Sequence, residues 1–305
     1  MSTGEPNVLR PPKNETAGLG AGLGAASIWG AMFVVSKAVL PVVPPFTLLT
    51  LRLFLGALTL GLVVLCQRGK QPKRAKAGVR TWMPVIGAGF VGYGVSLGLQ
   101  FAGTDLGTAS NAALVTCATP AFVALFAAPL LGERMRGRQW GALTLALLGV
   151  LAVLGPELGR FAPRSLTANL LLVGAALTWA LYTVLTAKAA RGRDLTLASL
   201  VGFLGGLPVS LGGSAWELST RGVGTIDLGI VGGILFLGVV STALAMFLWN
   251  YSFQALPAST AGLTFFAQPV TGTLLGTLFL GETPGVLFFA GAGLIGAALV
   301  VGRNR

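Results

Sequence analysis

Thr108 to Glu133 reads TASNAALVTCATPAFVALFAAPLLGE, and 149 positions further on Pro257 to Glu282 reads PASTAGLTFFAQPVTGTLLGTLFLGE. The two stretches agree without a gap at ten of 26 positions, among them Ser110/Ser259, Pro120/Pro269 and the closing Gly132-Glu133/Gly281-Glu282. Agreement on that scale marks an internal duplication rather than shared composition. Each copy is an apolar run long enough to cross a bilayer as a helix, opened by small residues, interrupted near its middle by proline and closed by Gly-Glu.

Composition extends this to the whole chain. Its 305 residues are 54% hydrophobic and 10% charged, with mean hydropathy +0.81. A chain this apolar cannot bury its side chains in one soluble core, so its solvent is lipid. The net charge of +12 does not point to nucleic acid, because the basic residues sit in short stretches between apolar runs, where they set topology. Cys66 and Cys117 lie in or at the end of apolar runs, with no spacing that suggests a disulfide or a metal site. No metal or cofactor is expected.

In chain order, a polar tail over 1–17 leads into an apolar run, Gly18 to Leu40, which is too far from the start for a cleaved leader and reads as a span. Further spans read at Phe46 to Cys66, Trp82 to Gly103, the first repeat copy, Gln139 to Gly155, Thr167 to Ala190, Thr196 to Ala215, Asp227 to Ser252, the second copy and Gly285 to Gly302. The expected fold is an all-α integral membrane protein of ten transmembrane helices. It forms one membrane domain, with a first five-helix repeat over 18–155 and a second over 167–302.

Ten spans put both ends of the chain on one face. Placing that face in the cytoplasm puts sixteen of the 21 basic residues there, with Arg160, Arg164 and Arg221 outside and Lys37 and Arg52 within spans. Five spans, an odd number, separate the two copies, so they cross in opposite directions, with Glu133 cytoplasmic and Glu282 external. The first helix leaves a trace too: Ala25-Ala26, Trp29 and Lys37 are echoed by Ala175-Ala176, Trp179 and Lys188. A five-plus-five inverted-topology repeat is the arrangement by which secondary transporters build inward-open and outward-open states from one chain.

The segment ASIWGAMFVVSK from Ala26 to Lys37, the Leu51-Arg52 pair in helix two, and the two small-residue helices ending in Gly-Glu resemble the EamA-type exporters of the drug/metabolite transporter superfamily. The resemblance covers about Gly18 to Gly302, and within the family it leans toward exporters of aromatic and other neutral amino acids. It implies a multi-pass protein of the cell inner membrane, with both termini cytoplasmic, that moves a small-molecule substrate by alternating access. The expected partners are that substrate and the lipid bilayer, with a monomer as the working unit. Other members move drugs or quaternary ammonium compounds, which is the alternative substrate class. A missing intramembrane carboxylate counts against a cationic substrate. A membrane enzyme or signalling protein would need a catalytic pair or a soluble domain, and neither is visible.

Several motif hits carry no chemistry. GAGFVG at Gly87 to Gly92 and GAGLIG at Gly291 to Gly296 fit G-x-G-x-x-G but lie inside spans. They read as close helix packing, as do Gly20/Gly24, Gly94/Gly98, Gly202/Gly206 and Gly272/Gly276. There is no Walker A sequence, and no histidine for a proton relay or a Ser-His site.

The candidate substrate-binding residues are the polar and aromatic groups inside spans. They are Trp29 in helix one, Tyr93 and Gln100 in helix three, and Asn111 and Thr116 in helix four. Helix six adds Trp179 and Tyr182, helix eight Trp249 and Asn250, and helix nine Phe265 and Gln268. Arg52 is a candidate carboxylate contact, against a structural role bonding helix-end carbonyls. Lys37 and Lys188 read as snorkelling cations. Pro120 and Pro269 are candidate hinges: each is expected to kink a helix near mid-membrane, free the carbonyl four residues earlier, at Thr116 and Phe265, and face the central pathway.

Overall fold

The computed structural model describes residues 14–67, 79–132, 137–160, 163–189, 195–256 and 264–301. Ten helical rods follow in chain order. They are α1 (Glu15–Val39), α2 (Pro45–Gln67), α3 (Val79–Gly89, continued by a π-helical stretch Phe90–Ser96 and by Leu97–Leu106) and α4 (Ala109–Thr116, then Thr119–Leu131). After α5 (Gly137–Arg160), α6 (Pro163–Ala189) and α7 (Leu195–Thr220) comes α8, made of Leu228–Leu235, a π-helical stretch Phe236–Leu244 and Ala245–Ala255. The last two are α9 (Ala267–Leu280) and α10 (Val286–Val301). No strand occurs among the described residues.

Among the described residues seven helices are long and apolar enough to cross a membrane, and Gly137–Val153 and Val286–Val301 are shorter apolar helices. Side-chain oxygens cap several starts: Asn14 accepts from Ala17 N at 3.1 Å, Thr108 from Asn111 N at 3.1 Å and Asp227 from Ile230 N at 2.8 Å. The glycines that close the two repeat copies work alike. Gly132 and Gly281 sit at φ 70 and φ 65, a left-handed conformation that glycine adopts without strain, and each stops its helix there.

The outer surface inverts the rule for proteins in water. Phe54, Leu62, Leu151, Leu211, Leu278, Phe279 and Phe289 are all exposed, while Arg52, Glu217 and Gln268 are buried. Lipid is the solvent that fits this surface.

Contacts between rods obey the duplication. α1 packs on α8 and α9, and α6, its counterpart, packs on α3 and α4. α2 meets the π segment of α8 as α7 meets that of α3, while α2 pairs with α7 and α5 with α10. Each relation has its mate five helices on, which is the five-plus-five inverted repeat in contact form. Glycines permit the closest approaches: a Cβ on Gly205 would overlap the carbonyl of Ile86, and one on Gly30 the carbonyl of Gln268. Gly202, Gly206, Gly272 and Gly276 pack as expected, but Gly20 faces open space and Gly24 meets only a leucine methyl at 3.7 Å. The Gly20/Gly24 expectation therefore fails, because that face of α1 meets no neighbouring backbone.

The largest departures from the expected boundaries are at two helix ends. α7 runs to Thr220, beyond Ala215, because Glu217 is stabilised there by partners on another helix. α5 runs to Arg160 through a stretch read as loop, where Leu, Glu and Arg favour helix. Glu133 and its following arginines 134 and 136 lie outside the described residues.

Candidate functional site

A cavity of about 910 Å3 lies between the two halves. Of the residues singled out in the sequence, Trp29, Arg52, Tyr93, Gln100, Thr116, Pro120, Trp179, Tyr182, Trp249, Phe265 and Gln268 line it. Asn111 does not. Its Nδ2 donates to Asn169 Oδ1 at 3.4 Å, tying α4 to α6 outside the cavity. The side chain of Asn250 lies outside the described residues. Reading Asn111 by helix membership alone ignored its turn of the helix, which faces α6.

Two aromatic clusters form the walls. On one, Trp29 stands edge-on to Trp249 and Phe265, with centroids 5.2 and 5.9 Å away, and these two are 5.5 Å apart. On the other, Tyr93 meets Phe203 at 4.5 Å, Tyr182 at 5.2 Å and Trp179 at 6.0 Å. Such edge-to-face contacts fix the rings beyond what burial alone would do. Polar tips anchor them: Tyr182 Oη donates to Tyr93 Oη at 2.9 Å and Trp29 Nε1 to the Ser241 carbonyl at 3.0 Å.

No residue pattern marks either π-helical stretch, and both bear on the site. Tyr93 lies in the first. Ser241 and Thr242 lie in the second, where both hydroxyls donate to the Leu237 carbonyl, at 2.7 and 3.0 Å. A single wide turn inside an α-helix is a common device at functional positions, because it re-aims side chains and carbonyls. Here it presents the Ser241 carbonyl to Trp29 and the Thr242 hydroxyl to Arg52, whose Nε donates at 3.2 Å. Arg52 thus bonds a hydroxyl in mid-helix, not helix-end carbonyls, and its guanidinium lies over Phe101 at 5.7 Å. Phe203, Thr119, Ser241, Thr242 and Met246 also line the cavity. A spacing of 149 from Tyr93 to Thr242 and from Thr119 to Gln268 is the signal that would have found two of them.

The prolines break their helices instead of kinking them. The first half of α4 ends at Thr116, Cys117 and Ala118 turn, and Pro120 falls in the first turn of the second half, where a missing N–H costs nothing. The Thr116 carbonyl accepts from Thr119 Oγ1 at 2.7 Å, and the Phe265 carbonyl from Gln268 N at 3.0 Å, so neither is left free. Pro120 lines the cavity, whereas Pro269 is buried away from it, against the expectation that both face the pathway.

The cavity reaches Gln139, Thr186, Ser199 and Leu299, at helix ends on the face where the chain starts and finishes, here termed the terminal face. Toward the opposite, far face it is stopped by Val39, Leu48, Leu49, Ala109, Ala113 and Leu172, all buried. Polar ties reinforce this plug. Glu282 accepts from Ala109 N at 2.6 Å, from Ser110 N at 2.9 Å and from Ser110 Oγ, and so caps α4 from the α9–α10 connection. Glu217 does the same for α2, accepting from Phe46 N at 3.0 Å and from Thr47 N and Oγ1 at 2.9 and 3.0 Å. Lys37 does not snorkel: Nζ donates to the Thr104 and Asp105 carbonyls at 3.1 and 2.6 Å, tying α1 to the end of α3.

A helical inverted repeat around one deep cavity with a closed far side is transporter architecture, and comparison with known proteins agrees. The EamA-like transporter family matches residues 16–155 and 166–302. This chain belongs to that family. An EamA-like relative, the aromatic amino acid exporter YddG of Ancylobacter novellus, is 27% identical over 283 residues, covering 92% of this chain and 93% of its own. The transporter YoaV of Bacillus subtilis is 27% identical over 272 residues, 88% of this chain and 90% of its own. A solved crystal structure superposes with TM-score 0.62 at 22% identity over 94% of this chain and 97% of its own, so the two share a fold. The protein is thus a multi-span membrane transporter of small molecules.

Proposed function

We propose that this transporter carries small zwitterionic metabolites, foremost amino acids with aromatic or other neutral side chains, out of the cell by alternating access. The observation that carries the reading is the pair of aromatic clusters facing each other across a cavity open to one end of the bundle only. Its volume lies in the range of small-molecule sites. Its walls suit apolar side chains, and its relative YddG is named an aromatic amino acid exporter. The distribution of basic residues supports placing the terminal face, and both termini with it, in the cytoplasm, as for a protein of the inner membrane. The cavity then stands ready to load from inside, as an exporter requires. A drug or quaternary-ammonium substrate fits less well, since among the described residues the one charged side chain lining the cavity is the cation Arg52.

Purified protein in liposomes should move labelled phenylalanine, tryptophan or leucine above empty-liposome controls. No movement across a wide amino-acid panel would overturn the reading. Repeating the assay with an imposed pH gradient separates proton coupling from facilitated diffusion.

A further inference from the structure

We propose that Arg52 anchors the substrate's carboxylate, and that the site reads a carboxylate and an aromatic or apolar group without needing the amine. Aromatic monocarboxylates that lack the amino group would then be ligands as well. The inference rests on the transport reading above and narrows its substrate class.

Arg52 lies seven residues into α2, about 10 Å along the axis from its far-face end at 1.5 Å per residue. It is only 7% exposed. A guanidinium carries five N–H donors, yet among the described residues Arg52 makes a single hydrogen bond, to Thr242, and Nη1 has no partner. No carboxylate among the described residues pairs with it. The buried acid Glu217 and the gate acid Glu282 spend their oxygens on the amides of α2 and α4, and the single ion pair among the described residues joins Arg221 to Asp105 on the far face. A cation held in the membrane interior without a counter-ion is costly, so the fold holds open a place for an anion. Arg52 lines the cavity, and a carboxylate is the group whose geometry matches the guanidinium fork.

Among the described residues no matching place exists for the ammonium, since no Asp or Glu of theirs lines the cavity. An ammonium there would meet aromatic faces, which attract a cation but equally accept a ring or an alkyl chain. Recognition is therefore weighted to the carboxylate end.

The test compares three ligands that share one ring: phenylalanine, 3-phenylpropionate, which keeps only the carboxylate, and 2-phenylethylamine, which keeps only the amine. Binding is read from the intrinsic tryptophan fluorescence of detergent-purified protein, since Trp29, Trp179 and Trp249 line the cavity. Transport is read by competition against labelled phenylalanine in liposomes. The expected result is that 3-phenylpropionate binds within about ten-fold of phenylalanine while 2-phenylethylamine binds at least ten-fold more weakly than either, as loss of a charge-assisted pair requires. Arg52→Gln should weaken 3-phenylpropionate by about ten-fold or more, with Arg52→Lys intermediate. Equal or stronger binding of the amine would overturn the proposal in the wild-type protein, whatever the variants do. If 3-phenylpropionate binds but phenylalanine is not moved, the transport reading fails and the anchor stands. If phenylalanine is moved and 3-phenylpropionate does not compete, the anchor fails and the transport reading stands.

Discussion

Gln268 shows how one side chain serves both wall and frame. Its Nε2 donates to the Ala113 carbonyl at 3.0 Å and to Thr116 Oγ1 at 3.1 Å, joining α9 to the first half of α4 where both helices are broken. It is 4% exposed, so truncation strands a buried carbonyl as well as removing a lining group. Gln268→Ala is expected to lower stability by about 1–3 kcal/mol and reduce transport with it. Trp179 differs. It is half-buried, packs edge-on to Tyr93, and among the described residues its side chain makes no hydrogen bond to another helix, so Trp179→Ala should reduce transport while the melting temperature in detergent falls far less than for Gln268→Ala. Measuring transport and melting for both variants checks the distinction, and equal losses of stability would remove it. Sequence alone placed both residues in one class. The 3.6-residue period says which helix carries a polar group, but not whether a neighbouring carbonyl waits opposite it.

At the scale of the element, the Gly-Glu ending of α9 is a working part. Gly281 turns the chain at positive φ, and this aims Glu282 back at the N-terminus of α4, where free amides and the helix dipole favour a carboxylate. The motif was legible as a repeated pair of letters, while its role needed the neighbouring helix. Glu282→Ala leaves the amides of Ala109 and Ser110 without their acceptor and should loosen the far face. A reporter cysteine at Val43, itself 1% exposed, in a background with Cys66→Ser and Cys117→Ala, should react faster with an impermeant thiol reagent from the far side once Glu282 is truncated. An unchanged rate would mean that apolar packing alone closes that face.

The helix breaks make a second element-scale case. Proline at the first turn marks where α4 divides into two short rods and where α9 starts after the turn at Phe265 and Phe266, and short rods rotate more easily than one long one. Pro120→Ala and Pro269→Ala restore an N–H and favour continuous helices. Both should slow transport, with cysteine accessibility shifted toward opposite faces because the two copies are inverted. Unchanged rates and accessibility in both variants would make the breaks static. The sequence showed the prolines and their depth. It did not show that Thr119 Oγ1 and Gln268 N satisfy the carbonyls and let the helices part, nor the π turns in α3 and α8, which no residue pattern announces.

For the whole molecule the decisive property is that the halves are alike but inverted, and the residues bear this out in unequal pairs. Tyr93 corresponds to Thr242, Gln100 to Trp249, Thr116 to Phe265 and Thr119 to Gln268, all at a spacing of 149, and all eight line one cavity. Backbone symmetry supplies two related states, and unlike side chains at equivalent positions let a single asymmetric substrate bind in one orientation. Exchange between states follows if the contacts closing the far face can be remade by their mates on the terminal face, which demands that the copies truly cross in opposite directions. Single cysteines at Gly137, just after the first copy, and at Thr283, just after the second, both exposed, test this in a background with Cys66→Ser and Cys117→Ala. With the terminal face in the cytoplasm, an impermeant reagent added to intact cells should label the cysteine at 283 and spare that at 137, and inside-out vesicles should give the reverse. Labelling of both from the same side would mean that the copies run parallel, and a carrier built on exchange between inverted halves would have no structural basis.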